Sequence, residues 1–256
     1  MIMVIDIGNT SIEFGVHNGE KIIGTFRVTS KKEMSSDEIW VFIKHFVDQN
    51  HIPLDYITDV VISSVVPQVN YSVASAVRKY LKKEPKIIGE NISCPMKTKY
   101  EKQRELGIDR LVDAYAAYEK IKGAAVIVDF GTATTVDAVS ADGVFMGGMI
   151  FPGILTATDA LYSKAAKLPK TELLKPDESI GRNTVECIQQ GSYYGYLGAV
   201  EKLISIAKKS VGEEAKVIAT GGFSRLFAEE KIFDFVLPNL QMDGIRMVLE
   251  NEKRNT

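Results

Sequence analysis

The residues best suited to chemistry lie in Val128-Asp129-Phe130-Gly131-Thr132-Ala133-Thr134-Thr135. The run before them, Ala125-Val126-Ile127-Val128, is apolar and largely β-branched, the pattern of a strand buried on both faces. It ends on a carboxylate, which is costly to bury unless a cation or hydrogen-bond donors face it. Gly131 lets the backbone come close to a ligand, and the hydroxyls of Thr132, Thr134 and Thr135 can donate to phosphate oxygens. An ordinary Asp-x-Gly turn between hairpin strands would look the same in isolation. The chain, however, carries a second copy, Met3-Val4-Ile5-Asp6-Ile7-Gly8-Asn9-Thr10-Ser11, and aligning Asp6 with Asp129 also aligns Gly8 with Gly131. Both copies continue into alternating apolar residues and a glycine turn, Asn18-Gly19 in one and Asp142-Gly143 in the other. Each reads as a strand, a phosphate-sized turn and a returning strand. The repeat persists in Asp59-Val60-Val61-Ile62-Ser63-Ser64 and Ala215-Lys216-Val217-Ile218-Ala219-Thr220, buried-strand runs with small or hydroxylated ends. Two such halves predict a cleft that grips a polyphosphate from both sides.

Further groups lie between and after these runs. Asp109-Arg110 falls where a helical spacing begins through Leu111, Val112, Tyr115, Tyr118 and Ile121. Asp109 can be an N-cap with Arg110 as its surface partner, or a functional carboxylate. The stretch from Gly147 to Gly153 is too rich in glycine and proline for a regular strand and predicts backbone packed against something. Thr220-Gly221-Gly222-Phe223 ends a strand ahead of an expected helix and suits close approach by a nucleotide. Gly191, Gly195 and Gly198 share one face of a helix that Asn183 caps with Glu186. Glycines cost a helix ~1 kcal/mol each, so these predict a very close neighbour, either a helix of the same chain or a second subunit. Tyr193, Tyr194 and Tyr196 beside them would suit an interface.

The scaffold for these groups is sizeable. The chain has 256 residues, 45% of them hydrophobic, enough for one large domain or two moderate ones. A formal net charge of -2 leaves no electrostatic footprint for nucleic acid. No uncharged run approaches the ~20 residues needed to span a bilayer, and the N-terminus lacks a signal-peptide pattern. Cys94 and Cys187 form no framework, and His17, His45 and His51 have no metal-ligand spacing. A cytoplasmic protein without membrane or nucleic-acid partners is expected. Ser35 or Ser36 is expected to cap a helix through Ile39, Ile43 and Phe46, with Glu38 three residues after Ser35. A final helix is expected over residues 244–250, with Ile245, Val248 and Leu249 inward. The halves are expected to meet near Gly123, giving units 1–122 and 123–256.

Five motifs in order, Asp6-Ile7-Gly8-Asn9-Thr10, Gly107-Ile108-Asp109-Arg110, Asp129-Phe130-Gly131-Thr132-Ala133-Thr134-Thr135, Gly148-Met149-Ile150-Phe151-Pro152-Gly153 and Thr220-Gly221-Gly222, resemble those of the type III pantothenate kinases. Residues 160–169 also match the family's run after the glycine-rich turn. These kinases belong to the acetate and sugar kinase, heat-shock chaperone and actin superfamily. The resemblance implies an α/β fold of two ribonuclease H-like halves, each a mixed sheet with helices, enclosing an ATP cleft. It also implies phosphorylation of pantothenate by ATP, the entry to coenzyme A synthesis. Carried over by motif, Asp6, Ile7, Gly8, Asn9, Thr10, Ser11, Ile12 and Glu13 would hold the nucleotide, with Asp6 near magnesium. Thr132 would add a phosphate contact, Gly221 and Gly222 would border the adenosine, and Asp129 would hold a monovalent cation, potassium or ammonium. Tyr100, Gly107, Ile108, Asp109, Arg110 and Thr184 would line the pantothenate site, with Asp109 as general base and Arg110 on the substrate's carboxylate side. A homodimer is implied. The chain departs from the family in having Ile108 where alanine is common, and Lys102-Gln103 where a proline usually stiffens the loop. Other readings are a kinase of the superfamily with another small hydroxyl substrate, or a regulatory or interaction protein on the same fold. The intact Asp6, Asp109 and Asp129 weigh against lost catalysis, and no Walker A lysine motif is present.

Overall fold

In a computed structural model, residues 1–165 and 167–255 are described. The chain divides into two compact units. The first comprises residues 1–96, 104–116 and those from 241 onward, and the second comprises 97–103 and 117–240. This division departs from a single break at residues 122/123, because the last helix joins the first unit.

The first unit is built on a sheet ordered β3-β2-β1-β4-β5, from β1 (Ile2–Ile7), β2 (Ser11–His17), β3 (Ile22–Thr29), β4 (Asp59–Ser64) and β5 (Lys86–Ile87). β1 pairs antiparallel with β2 and parallel with β4, so Asp6 lies opposite Glu13 on one side and Ser63 on the other. Val4, Ile5, Val61 and Ile62 are fully buried because helices cover this sheet. α1 (Ser36–Gln49) starts at a complete capping box between Ser35 and Glu38 and buries Ile39, Ile43, Phe46 and Val47. α2 (Pro67–Ala76) has proline in its first turn, where a missing N–H costs nothing, and buries Val69 and Val73.

The second unit repeats this plan. Its sheet runs β11-β10-β7-β8-β9-β6, from β6 (Lys97–Thr98), β7 (Ala125–Phe130), β8 (Ala133–Val139), β9 (Val144–Pro152), β10 (Lys216–Thr220) and β11 (Phe235–Val236). β7 pairs antiparallel with β8 and parallel with β10, placing Asp129 opposite Thr135 and Thr220. Thus β7, β8, β9, β10 and β11 reproduce the pairing of β1, β2, β3, β4 and β5. The aromatic core of this unit stacks Phe130 on Phe227 with ring centroids 5.0 Å apart, and Tyr193 and Tyr196 join it.

The remaining helices are α3 (Ile108–Ile121), α4 (Ile154–Lys164), α5 (Thr184–Val211) and α6 (Leu240–Asn255). Asn183 caps α5 as expected, its Oδ1 accepting from the Glu186 N–H at 3.0 Å. From sequence a helix is expected over about residues 155–166, and its end at Ala166 lies outside the described residues. Three local expectations need correction. The glycine-rich stretch does continue a strand: β9 runs to Pro152, with the register shift opposite Ala138/Val139 and Gly147 at φ 122° absorbing the irregularity. The segment after Gly222 is only a short 3₁₀ turn, Ser224–Phe227, not an α-helix. α6 begins well before Gly244, at Leu240. Among the described residues no helix is long and apolar enough to cross a membrane.

Candidate active site

In the first unit, the turn between β1 and β2 is closed by the Gly8 N–H donating to the Ser11 carbonyl at 2.9 Å. Asn9 and Thr10 are exposed at its tip, whereas Ile7 and Ile12 are fully buried. Those two isoleucines therefore have only backbone groups to offer a ligand. Glu13 is half-buried and ion-paired with Arg27 across the hairpin. Asp6 sits at the end of β1, where burial is the main cause that pushes its carboxyl up to about 7, with the charge of Asp109 next in weight.

Asp109 lies in the first turn of α3. The helix starts at Ile108, so Gly107 takes the cap position and Asp109 is one residue inside the helix, not its N-cap. Its Oδ1 accepts from the Arg110 N–H at 2.8 Å. A Cβ on Gly107 would collide with this same oxygen, so glycine makes room for the carboxylate. Burial raises the Asp109 carboxyl above the ordinary range, partly offset by the Arg110 N–H and guanidinium. Arg110 itself is buried.

Gln241, in the first turn of α6, faces the same cluster. Its amide nitrogen points to the Asp109 carbonyl at 3.0 Å and to Asp113 Oδ1 at 2.7 Å. The opposite orientation would set the amide oxygen against these two acceptors. The amide oxygen then lies 3.4 Å from both Asp6 Oδ1 and Ser63 Oγ. Gln241 and Asp113 were missed in the sequence. The available signal was a polar residue on an apolar stripe, since Gln241, Ile245 and Val248 have helical spacing.

In the second unit, the β7–β8 turn exposes Thr132. Its carbonyl accepts from the Gly153 N–H at 3.1 Å and the Thr156 hydroxyl at 2.7 Å. Thr134 does not face a ligand: it is buried and hydrogen-bonded to the Tyr196 hydroxyl. Asp129 lies against Gly221, whose φ is +84° and whose Cβ, if present, would clash with Asp129 Oδ1 and sit 2.8 Å from the Phe130 nitrogen. Gly222 is exposed beside it. Tyr100 belongs to this unit and packs on Phe145 at 6.2 Å. Thr184 is exposed at the start of α5. Each unit therefore presents a strand-end carboxylate beside a tight turn. The first adds Asp109 and Arg110 within its own fold.

Comparison with known proteins settles the affiliation. The type III pantothenate kinase family model matches residues 2–206. This chain belongs to the type III pantothenate kinases. A type III pantothenate kinase from Moorella thermoacetica is 41% identical over 257 residues, covering 100% of both chains. Among solved structures, a Baf family protein from Campylobacter jejuni superposes with TM-score 0.60 at 18% identity, covering 98% of this chain and 99% of that one. MreB 5 of Spiroplasma citri gives TM-score 0.54 at 11% identity, covering 99% and 97%. At such identities these two matches speak for the fold alone. The kinase therefore has the mixed α/β fold of two ribonuclease H-like halves that its motifs implied.

Proposed function

We propose that in the reaction of this family, ATP-dependent phosphorylation of pantothenate at the entry to coenzyme A synthesis, Asp109 is the general base. The supporting observation is a carboxyl held in the first turn of α3 with its proton affinity raised by burial. A general base works best when its pKa approaches the operating pH. In the step, Asp109 takes the proton of the primary hydroxyl as that oxygen attacks the γ-phosphorus. The bond to the β-phosphate oxygen breaks, ADP leaves, and the proton rests on Asp109. Arg110 holds the carboxylate side of pantothenate, with Tyr100, Gly107, Ile108 and Thr184 as further contacts.

Asp6 through Glu13 and Thr132 take the nucleotide phosphates, and Gly221 and Gly222 admit the adenosine. Phosphoryl transfer depends mainly on positioning and on neutralising charge. Magnesium is commonly bound through one or two carboxylates plus phosphates and water, and Asp6 fits that role. No group of three or more His, Cys, Asp or Glu that could hold a metal occurs among the described residues. Asp129 offers carboxylate oxygens beside closely packed backbone, hard donors suited to potassium or ammonium rather than to a transition metal. Such an ion would offset the repulsion between Asp129 and the nucleotide. The kinase acts as a cytoplasmic homodimer in this reading.

Two measurements test these roles. Asp109→Asn keeps shape and loses the proton acceptor, so kcat at saturating ATP and pantothenate should fall by about 10²–10⁴-fold with Tm nearly unchanged. A folded variant that keeps more than about a tenth of the wild-type rate removes the base role. Replacing potassium by a large organic cation at equal ionic strength should sharply reduce turnover. Unchanged turnover would remove the cation role of Asp129.

A further inference from the structure

We propose that Gln241 is a positioning residue for phosphoryl transfer, its amide fixing the base-bearing turn of α3 against the ends of β1 and β4. The inference rests on the base role of Asp109. The side chain spans two sets of groups inside the first unit. Its nitrogen serves the Asp109 carbonyl at 3.0 Å and Asp113 Oδ1 at 2.7 Å, both on α3. Its oxygen faces Asp6 and Ser63, which are paired neighbours in register at the ends of β1 and β4. A single rigid amide therefore sits between the carboxylate assigned to the base and the carboxylate assigned to the phosphate side.

The chemistry of the site requires such a spacer. Three carboxyl-bearing residues, Asp6, Asp109 and Asp113, converge on Gln241, and like charges left unsupported push their elements apart. A neutral amide can donate in one direction and accept in the other, which no carboxylate, ammonium or alkyl group can do. The anchor beneath it is firm. α6 packs so closely on α3 that a Cβ on Gly244 would lie 2.7 Å from Val112 Cγ1 and 2.8 Å from the Val112 carbonyl. Met242, the neighbour of Gln241, reaches Gly15 of β2 from the same turn. α6 thus contacts α3 and the sheet that carries β1 and β4, and Gln241 supplies a polar link at the same place.

Loss of the amide should leave binding groups in place while loosening the base. A misplacement of about 1 Å can cost ~10²-fold in rate. For Gln241→Met, which keeps length and apolar volume, kcat should drop roughly 10- to 100-fold while KM for ATP and pantothenate changes less than about twofold. Gln241→Asn shortens the reach by about 1.5 Å and serves where the methionine variant does not fold; it should lose kcat in the same way. Both are assayed beside wild type and Asp109→Asn, well below each Tm. Full kcat in a folded variant, with or without a lowered Tm, overturns the proposal, as does a raised KM at unchanged kcat. Asp109→Asn with wild-type kcat overturns the base reading and this inference together. An inactive Asp109→Asn beside a fully active Gln241→Met overturns the inference alone.

Discussion

At the scale of single residues, the pair Asp6 and Asp109 shows how burial tunes two carboxyl groups of one unit. Both are raised by burial, and Asp6 is raised further by its neighbour's charge. The consequence for stability has a definite sign. Folded Asp6 keeps its proton to about 7, against an ordinary value of 3.8. Between those values the folded chain binds more protons than the unfolded one, so this contribution is complete below the lower value and is lost as pH rises through the upper. Asp6 reaches solvent in part, and screening trims the effect accordingly. Without ligands, Asp6→Asn should therefore raise Tm more at about pH 8 than at about pH 5. Scanning calorimetry of both proteins at the two pH values checks it; an equal Tm difference at both would show that Asp6 is not perturbed in this way. Cys94, by contrast, is pushed by burial up to about 12 and stays a protonated, inert thiol at working pH.

At the scale of elements, the strand–turn–strand repeat was legible because its determinants are local: a buried β-branched run, a carboxylate, then glycine. The Ser35–Glu38 box and the Asn183 cap were legible for the same reason. What escaped was set by distant contacts. β9 stays a strand through its glycines because β8 pairs with it continuously from Gly147 to Pro152. Tyr193 and Tyr196 looked like interface residues but belong to the aromatic core around Phe227. The role of Gly221 was visible only as a generic signal for close approach, whereas the structure gives it two causes, a positive φ and contact with Asp129 and Phe130. These causes separate experimentally. Gly19 has φ +105° but open space around it, so Gly19→Ala carries strain without collision and should cost about 1 kcal/mol. Gly221→Ala carries both and should cost roughly 2–5 kcal/mol, about 5–15 °C in Tm by the usual conversion. Similar Tm losses in the two variants would show that the Asp129 contact yields easily.

At the scale of the whole molecule, one plan used twice gives each unit a strand-end carboxylate, and α6 returns to the first unit with the amide that faces its carboxyl groups. That return could not be read from sequence order, since nothing local to residues 240–255 says which sheet they serve. The surface of α5 leaves the remaining question. Gly191, Gly195 and Gly198 are exposed, and a Cβ at any of them would meet nothing within 4 Å. The close helix packing that they predicted is therefore not made among the described residues. Near their end of α5, Ile180, Val185 and Leu161 are also exposed, Ile180 at 89%. Glycine at an open helical position loses ~1 kcal/mol relative to alanine, and a close-fitting second subunit would offset that loss. The expectation is a homodimer at micromolar concentration whose contact includes this face. Gly195→Ala should then raise the stability of α5 while weakening association, and Gly195→Arg should give a folded monomer. Light scattering with circular dichroism on the three proteins decides the matter: a monomeric wild type, or a Gly195→Arg variant as dimeric as wild type, would remove this face from the interface.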